Sequence, residues 1–229
     1  MPDGLARIAR EVIACERCPR LSAYVREVAR TRVKRHRDEV YWGRPVPAFG
    51  DPDARLLIVG LAPAAHGANR TGRMFTGDSS GMWLYRALHR AGFASRAEST
   101  DRRDGLRLRG AYVTAAAHCA PPDNRPEPAE LRACRPFLVR ELRLLRGARV
   151  ILALGQVAFD AALAAWGEAG GVVPRPKPAF AHGGEVPLDD QRLLLASYHP
   201  SRQNTQTGRL TEAMLDAVVA RARAACGKV

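Results

Sequence analysis

Four short runs of apolar residues recur along the chain, and each is followed by glycine, proline or polar residues. They span residues 55–59, 111–115, 149–154 and 192–197. A short, continuous apolar run bounded by turn-forming residues is typical of a strand whose two faces are both buried. The pattern therefore predicts four buried strands.

Helical periodicity separates these strands and follows the last of them. The predicted helices cover residues 81–91, 129–145, 156–166 and 211–225. In the second, one face carries Leu131, Leu138, Leu142 and Leu145, and Pro136 disturbs the early turns. Strands that alternate with helices predict an α/β fold, with three αβα layers and a central, mostly parallel four-stranded sheet.

The chain reads as one domain, residues 1–229, with a basic and helical N-terminal segment of about 45 residues. A proline-rich stretch at 46–52 follows this segment, and a second irregular stretch covers 169–184. Both resemble loops within a domain more than linkers. No apolar run is long enough to cross a membrane, and residues 1–14 lack the features of a signal peptide. We therefore expect a cytoplasmic protein.

The charge balance is strongly basic. Lys and Arg number 36 against 23 Asp and Glu, which gives a formal net charge of +13. Such a surface attracts polyanions, and DNA or RNA is the usual one. Nearly all the basic residues are Arg, with Lys only at positions 34, 177 and 228, so a compositional bias toward Arg is the alternative. We favour a nucleic-acid partner because the excess is large.

Polar side chains follow three of the predicted strands. The first strand runs into a small-residue loop, 60–78, whose one carboxylate is Asp78; Asn124 and His199 lie in the loops after the second and fourth strands. Open parallel sheets bind ligands beyond the carboxyl ends of their strands, so the three side chains are expected to converge there. The alternatives are a helix cap for Asp78, ordinary turn chemistry for Asn124 and a structural role for His199.

Five cysteines raise the question of a metal. Cys15 and Cys18 form a Cys-x-x-Cys pair, Cys119 and Cys134 lie far along the chain, and Cys226 is expected to be a free thiol. Four thiolates suit either tetrahedral zinc or an iron–sulfur cluster, and spacing does not choose between them. Alternatively, Cys119 and Cys134 are small buried side chains and the first pair is a redox pair.

Four motifs together resemble the uracil-DNA glycosylase superfamily, above all its iron–sulfur branch, family 5. They are GLAPAAHG at 60–67, FTGD at 75–78, CAPP at 119–122 and HPS at 199–201. The resemblance extends from Cys15 to about residue 210. It implies a structural [4Fe–4S] cluster that ties the N-terminal segment to the domain, with the ligands Cys15, Cys18, Cys119 and Cys134.

The resemblance also implies an activity. The protein would be a monofunctional DNA glycosylase that flips uracil out of DNA, cleaves its N-glycosidic bond with water and so begins base excision repair. It would need no catalytic cofactor and act as a monomer. The catalytic residues would be Asp78 and Asn124 at the water and His199 at the base, and the base would be bound by Gly60, Leu61, Ala62, Pro63, Phe75 and His199. Phe75 would stack on the base, although a plain core role is the alternative.

Departures from better-known families concern base recognition. Residues 62–65 carry no side chain able to position water, and Thr114 is followed by three alanines where many relatives have an asparagine. The resemblance to family 5, which shares both losses, implies tolerance of other deaminated bases such as hypoxanthine and xanthine. The motifs contain no lysine, so a Schiff-base lyase step is not expected. DNA contacts are expected from Arg70, Arg73, Arg202, Gln203 and Asn204.

Two other functions compete with this interpretation. A non-catalytic, metal-stabilised nucleic-acid-binding protein would explain the charge and the cysteines, but not the loops of Asp78 and His199. A metal-dependent nuclease would need clustered carboxylates, and the predicted strand-end loops have too few.

Overall fold

A six-stranded sheet forms the centre of the computed structural model, which describes residues 2–227. The strands are β1 (Phe49–Gly50), β2 (Leu56–Gly60), β3 (Ala111–Ala115), β4 (Val150–Leu154), β5 (Glu185–Pro187) and β6 (Leu193–Ser197). Their spatial order is β1-β3-β2-β4-β6-β5. The four central strands are parallel, and β1 and β5 pair antiparallel at the edges.

The sequence predicted the four central strands and missed both edge strands. The α/β class and the parallel core are confirmed, but the count of four strands is wrong. β1 has only two residues, and β5 has three residues that include Pro187 and are mostly exposed. Neither therefore presents the apolar run by which a buried strand is recognised.

Eight α-helices are present in the described part of the chain. They are α1 (Pro2–Ile13), α2 (Pro19–Thr31), α3 (Ala68–Thr71), α4 (Ser79–Arg90), α5 (Pro128–Leu144), α6 (Gln156–Glu168), α7 (Arg202–Gln206) and α8 (Glu212–Cys226). All four predicted helices are confirmed within two residues at their N-terminal ends and within two at their C-terminal ends. α5 continues through Pro136. No helix among residues 2–227 combines the length and the apolar character needed to span a bilayer.

Alternate residues of β2 face opposite layers of the core. Leu56 and Ile58 pack in the cluster that contains the buried residues of α4 and α8. Leu57 and Val59 pack in the cluster that contains those of α5 and α6. Since a strand turns successive side chains to opposite faces, a continuous apolar run is what this three-layer arrangement requires.

The N-terminal helices pack against α5 and against the loop that follows β3. Ile8 and Val12 of α1 contact Phe137 of α5, while Leu21 and Val25 of α2 lie with Cys119. These contacts join the N-terminal segment to the sheet domain. The single-domain assignment of residues 1–229 stays a prediction, and its ends, Met1, Lys228 and Val229, lie outside the described residues.

Candidate functional site

The small-residue loop leaves β2 at the carboxyl edge of the sheet. Backbone pairing continues one step beyond the strands, because the Ala116 and Ala117 amides donate to the carbonyls of Gly60 and Leu61 at 2.9 and 3.0 Å. The loop then forms the short α3 and ends at Asp78, where α4 begins. Its first residues are therefore held on the sheet edge, as the sequence predicted.

Phe75 lies directly over Gly60. Its backbone has a φ of +51°, in the left-handed region that non-glycine residues rarely adopt. A side chain at Gly60 would stand 2.7 Å from the ring of Phe75, so only glycine admits this contact. The ring is 9% exposed and its centroid lies 5.8 Å from that of His199. The loops after β2 and β6 thus meet through these two rings.

His199 is half-buried beyond the end of β6, next to Gly155. Its carbonyl accepts hydrogen bonds from the Asn204 side-chain amide at 2.9 Å and from the Ser201 amide at 2.8 Å. A Cβ at Gly155 would be 3.4 Å from that of His199. Burial lowers the pKa of His199 to about 4. The imidazole is therefore neutral near pH 7 and offers one N–H donor and one acceptor.

Asp78 is the N-cap of α4, so the capping alternative is confirmed. Its Oδ1 accepts a hydrogen bond from the Gly81 amide at 2.9 Å. The carboxylate also lies against the backbone of Gly67, where an added Cβ would be 2.2 Å from Oδ2. Burial raises the pKa of Asp78, and the Gly81 and Ser80 amides and the charge of Arg70 oppose the rise. Capping engages one oxygen through Gly81, so it does not exclude a second role for the group.

The remaining predicted base and water residues divide into two groups. Gly60 and Pro63 are buried at the loop's start, and Leu61 and Ala62 are half-buried there. Asn124 is exposed in a 3-10 turn (Pro122–Asn124), with a φ of +55°. The described hydrogen bonds do not connect its side chain to Asp78 or His199, so the convergence predicted for Asn124 is not seen.

A cavity of about 310 Å³ borders the candidate site, and sequence reasoning missed most of its lining. Leu61 and His199 form one side, and the remaining wall includes Gly155, Phe180 and Tyr198. Tyr198 immediately precedes the HPS motif, so its position beside His199 was a usable signal. Phe180 lies in a glycine- and proline-rich stretch, where no pattern marks it.

Arg73 is not available to a phosphate. Its side chain is 4% exposed and forms an ion pair with Asp104 at 2.6 Å, as well as hydrogen bonds to Thr76 and Ser99. The same arginine holds the pKa of Asp104 down, to about 2, against the effect of burial. These contacts do not favour the predicted DNA contact, and the partner Asp104 lies 31 residues along the chain, so it could not be recognised from the loop.

Arg70 is also engaged internally. Its guanidinium donates to the carbonyls of His66 at 2.9 Å and Gly77 at 3.0 Å and pairs with Glu39, and its side chain is only 11% exposed. A DNA contact by Arg70 would require these bonds to break, so the structure does not favour this prediction either.

The residues after the HPS motif have different positions. Arg202 and Gln203 are exposed in the short α7, where a partner could reach them. Asn204 is half-buried, and its amide is used on the carbonyl of His199. Asn204 therefore fixes His199, in place of the DNA contact that was predicted for its side chain.

The four predicted cysteine ligands surround one small cavity. Cys15 and Cys18 come from the turn between α1 and α2, Cys119 from the loop after β3, and Cys134 from α5. Burial raises the pKa of Cys119 to about 12 and raises those of Cys18 and Cys134 as well, and the neighbouring thiols add to each rise. The four thiols therefore lie within range of one another's charge, as a common ligand set requires, although Cys119 is also the small buried side chain of the alternative. A cation would reverse this effect, because it stabilises thiolates.

The donor set fits a cluster better than a single ion. Among residues 2–227, no three His, Cys, Asp or Glu side chains are placed to hold one metal ion. A zinc ion would need all four sulfurs at about 2.3 Å from one point. A [4Fe–4S] cluster takes one thiolate on each of four irons, so it fits thiols that ring a space instead of meeting at a point. Cys226 is a buried free thiol at the end of α8.

Comparisons with known proteins agree with the motifs. A family model described as the uracil DNA glycosylase superfamily matches residues 47–223. A type-5 uracil-DNA glycosylase of Thermus thermophilus is 54% identical over 93% of this chain and 94% of its own length. Its counterpart in Mycobacterium tuberculosis is 50% identical over 94% of this chain and 80% of its own length. One in Pyrobaculum aerophilum is 45% identical over 94% and 91%.

The resemblance to family 5 is thus confirmed over most of the chain, and not only at its four motifs. The matched model covers β1 to α8, which includes the loops of Asp78 and His199. The relatives extend the similarity to more than nine-tenths of the chain. The chain belongs to the uracil DNA glycosylase superfamily.

Proposed function

We propose that this chain is a monofunctional uracil-DNA glycosylase that excises uracil from DNA and starts base excision repair. The observation that carries the proposal is the meeting of two loops at the carboxyl edge of the sheet. Phe75 packs over Gly60 as part of the core, as its alternative role required, and the neutral His199 lies beside it; a base that enters there would meet an apolar ring next to a hydrogen-bond donor. A base removed from the stack needs both a stacking surface and a polar partner for its edge.

His199 would act on the departing base. When the bond between C1′ and the base nitrogen breaks, the electron pair leaves with the base, and negative charge develops on its carbonyl oxygens. A neutral imidazole N–H can donate to such an oxygen, and preorganised donors of this kind are worth roughly 10²–10³ in rate. Asn204 would hold the backbone of His199 in place through its carbonyl.

Asp78 would act on the sugar and on water. A carboxylate near C1′ stabilises the cationic sugar and orients a water molecule, whose oxygen forms the new bond to C1′. The water proton passes to the carboxylate and from there to solvent, and the departing base anion takes up one proton from solvent. The products are a free base and an abasic site. Asn124 would share the water or bind a base edge if its loop closes over the DNA.

Other deaminated bases are included in the proposal. Residues 62–65 and 115–117 offer no long polar side chain that would reject a purine or read one pyrimidine edge. A site without such groups loses little transition-state stabilisation when the base changes, because no buried polar partner in the site is left unpaired. We therefore expect hypoxanthine and xanthine to be released as well as uracil.

Two features of the chain support a hydrolytic reaction on DNA. A Schiff-base lyase step needs an amine, and the motifs around Asp78 and His199 contain no lysine. The net charge of +13 favours a polyanion, and Arg202 and Gln203 are exposed beside His199. These two side chains are the candidates to contact the strand or to fill the emptied stack.

The four cysteines would hold a structural [4Fe–4S] cluster. Cys15, Cys18, Cys119 and Cys134 would each bind one iron as a thiolate. The cluster supplies a rigid link between the N-terminal helices and the loop after β3. The groups proposed to touch the base or the water lie outside the segments that carry these cysteines. The exception is Asn124, which follows Cys119 in the same loop.

The test is base release from a labelled duplex that carries one uracil, with EDTA present. The proposal expects strand cleavage only after alkali, and loss of cleavage in His199→Ala and Asp78→Ala. Duplexes that carry hypoxanthine or xanthine in place of uracil measure which other bases the enzyme releases. Direct strand scission would indicate a lyase or a nuclease. Tight binding without any base release would favour the non-catalytic binding protein.

A further inference from the structure

One arginine connects three separate parts of the candidate site. The Arg70 guanidinium donates to the carbonyl of His66 in its own loop and to the carbonyl of Gly77, which directly precedes Asp78. Its third partner is Glu39, in the N-terminal segment. A Cβ at Gly77 would lie 2.5 Å from Nη2 of Arg70, so the guanidinium fills the space beside that peptide.

The surroundings of Asp78 contain little other charge. On the α4 side, the carboxylate meets the Gly81 and Ser80 amides and lies near Tyr85. On the α3 side, it meets Gly67 and the positive charge of Arg70. Burial raises the pKa of Asp78. The Gly81 and Ser80 amides oppose this rise most strongly, and among the described residues Arg70 is the charged side chain that opposes it as well.

We propose that Arg70 is a positioning residue. Its guanidinium holds the Gly77–Asp78 segment in place and sets a positive charge near the carboxylate of Asp78, for the role of Asp78 at the water. Glu39 orients Arg70 from the other side, so the N-terminal segment contributes to the geometry of the site. This inference rests on the proposed function, because it assigns Arg70 a part in the same reaction.

The consequences differ from those of a DNA contact. A guanidinium that binds phosphate would affect KM and its salt dependence. A guanidinium that positions Asp78 affects kcat, because misplacement of a catalytic group by a fraction of an ångström lowers the rate of the chemical step. Loss of its charge also raises the pKa of Asp78, so the acid limb of the kcat profile moves to higher pH.

The experiment measures kcat and KM on the uracil duplex across pH for wild type, Arg70→Gln, Arg70→Lys and Glu39→Gln. We expect Arg70→Gln to lower kcat at pH 7 roughly tenfold or more, with KM changed by less than about twofold. The acid limb of the kcat profile moves to higher pH in Arg70→Gln. In Arg70→Lys, which keeps the positive charge, the acid limb lies closer to that of wild type. Glu39→Gln lowers kcat by a smaller factor and leaves the limb in place, since Arg70 keeps its charge.

The matched control is Arg73→Gln, in the same loop. Arg73 pairs with Asp104 and is not among the groups that shift the pKa of Asp78, so its loss is expected to lower the melting temperature and leave the acid limb unchanged. A folded Arg70→Gln protein with the wild-type acid limb, or with raised KM and unchanged kcat, would overturn the inference. If Arg70→Gln does not fold, the inference fails when Arg70→Lys and Glu39→Gln both keep wild-type kcat. A wild type that releases no uracil would refute the proposed function instead.

Discussion

Two regions of the molecule sit near the carboxyl ends of its strands, and they are completed in different ways. At the catalytic edge, residues 60–78 and 198–204, polar side chains find partners within the chain: Asp78 with Gly81, Arg73 with Asp104, Asn204 with His199. At the cysteine site, the hydrogen bonds of residues 2–227 include one protein donor to a sulfur, the His118 amide, 3.3 Å from Cys134 Sγ. Contacts within the protein hold the first region together, whereas the proposal gives the second region an added cluster.

Removal of one cysteine ligand is expected to have the largest effect. In Cys134→Ser, the cluster would lose a thiolate, and the contacts of α1 and α2 with the sheet domain would lose their common anchor. We expect loss of bound iron and a melting temperature lower by roughly 10 °C or more, because a structural metal site contributes directly to folding. Iron analysis and thermal unfolding measure both quantities.

Cys226→Ser is the matched control for that experiment. Cys226 is also a buried thiol, but it lies at the end of α8, away from the other four cysteines. The iron content of the Cys226→Ser protein is expected to equal that of wild type. Equal iron in Cys134→Ser would contradict the assignment of the cysteine site.

Gly67→Ala is expected to disturb the catalytic edge. The new methyl group would meet the carboxylate of Asp78 at about 2.2 Å, so the side chain must move. We expect uracil release to fall about 100-fold while bound iron stays at the wild-type level, because the displacement is local. Gly147→Ala is the control, since its Cβ would meet nothing nearer than 3.7 Å. Wild-type activity in Gly67→Ala would show that the position of Asp78 does not matter.

Substitution of Glu141 is expected to have a smaller effect, on stability. Glu141 lies on α5, as Cys134 does, but it belongs neither to the catalytic edge nor to the cysteine site. Burial raises the pKa of Glu141 to about 7, while nearby Thr114 and the charge of Arg140 oppose the rise, and neither carboxyl oxygen makes a hydrogen bond of good geometry among the described residues. The raised pKa favours the protonated acid, so its stabilising contribution is complete below pH 4.5 and is lost as the pH rises through about 7.

Glu141→Gln should therefore stabilise the protein at alkaline pH and change little near pH 4. At pH 8 we expect a gain on the order of 2 kcal/mol in the free energy of unfolding, since the amide cannot ionise but still needs a partner. Chemical denaturation at the two pH values measures this difference. A gain of equal size at both values would contradict the buried ionisation.

The sequence predicted the core of the fold well, for a definite physical reason. β2 and β4 are buried on both faces, so each has a continuous run of apolar residues. The run at residues 56–59, for example, directly predicts β2. The capping alternative for Asp78 was equally legible, because Asp followed by two serines is strong helix-start chemistry. Such signals depend on residues that are neighbours along the chain, so they can be recognised in the sequence without the structure.

Arg70 and Arg73 show which contacts the sequence alone does not reveal. Both lie in a loop beside the candidate site of a basic protein, so phosphate contacts were a reasonable prediction. Their partners, Glu39 and Asp104, are each 31 residues away and turn both guanidinium groups inward. Pairing at that range depends on the folded path of the chain. The meeting of Cys15 and Cys134 is equally non-local, and the family resemblance alone predicted it.

The central claim is that the catalytic edge cleaves the N-glycosidic bond without a dissociable metal ion. Single-turnover release of uracil from a duplex, with EDTA present, tests it most directly when wild type is compared with Asp78→Asn and His199→Gln. The account predicts full release by wild type and a rate lower by at least about 100-fold in each variant, with the fold and bound iron unchanged. Wild-type rates in both variants, or release abolished by EDTA while iron is retained, would contradict it.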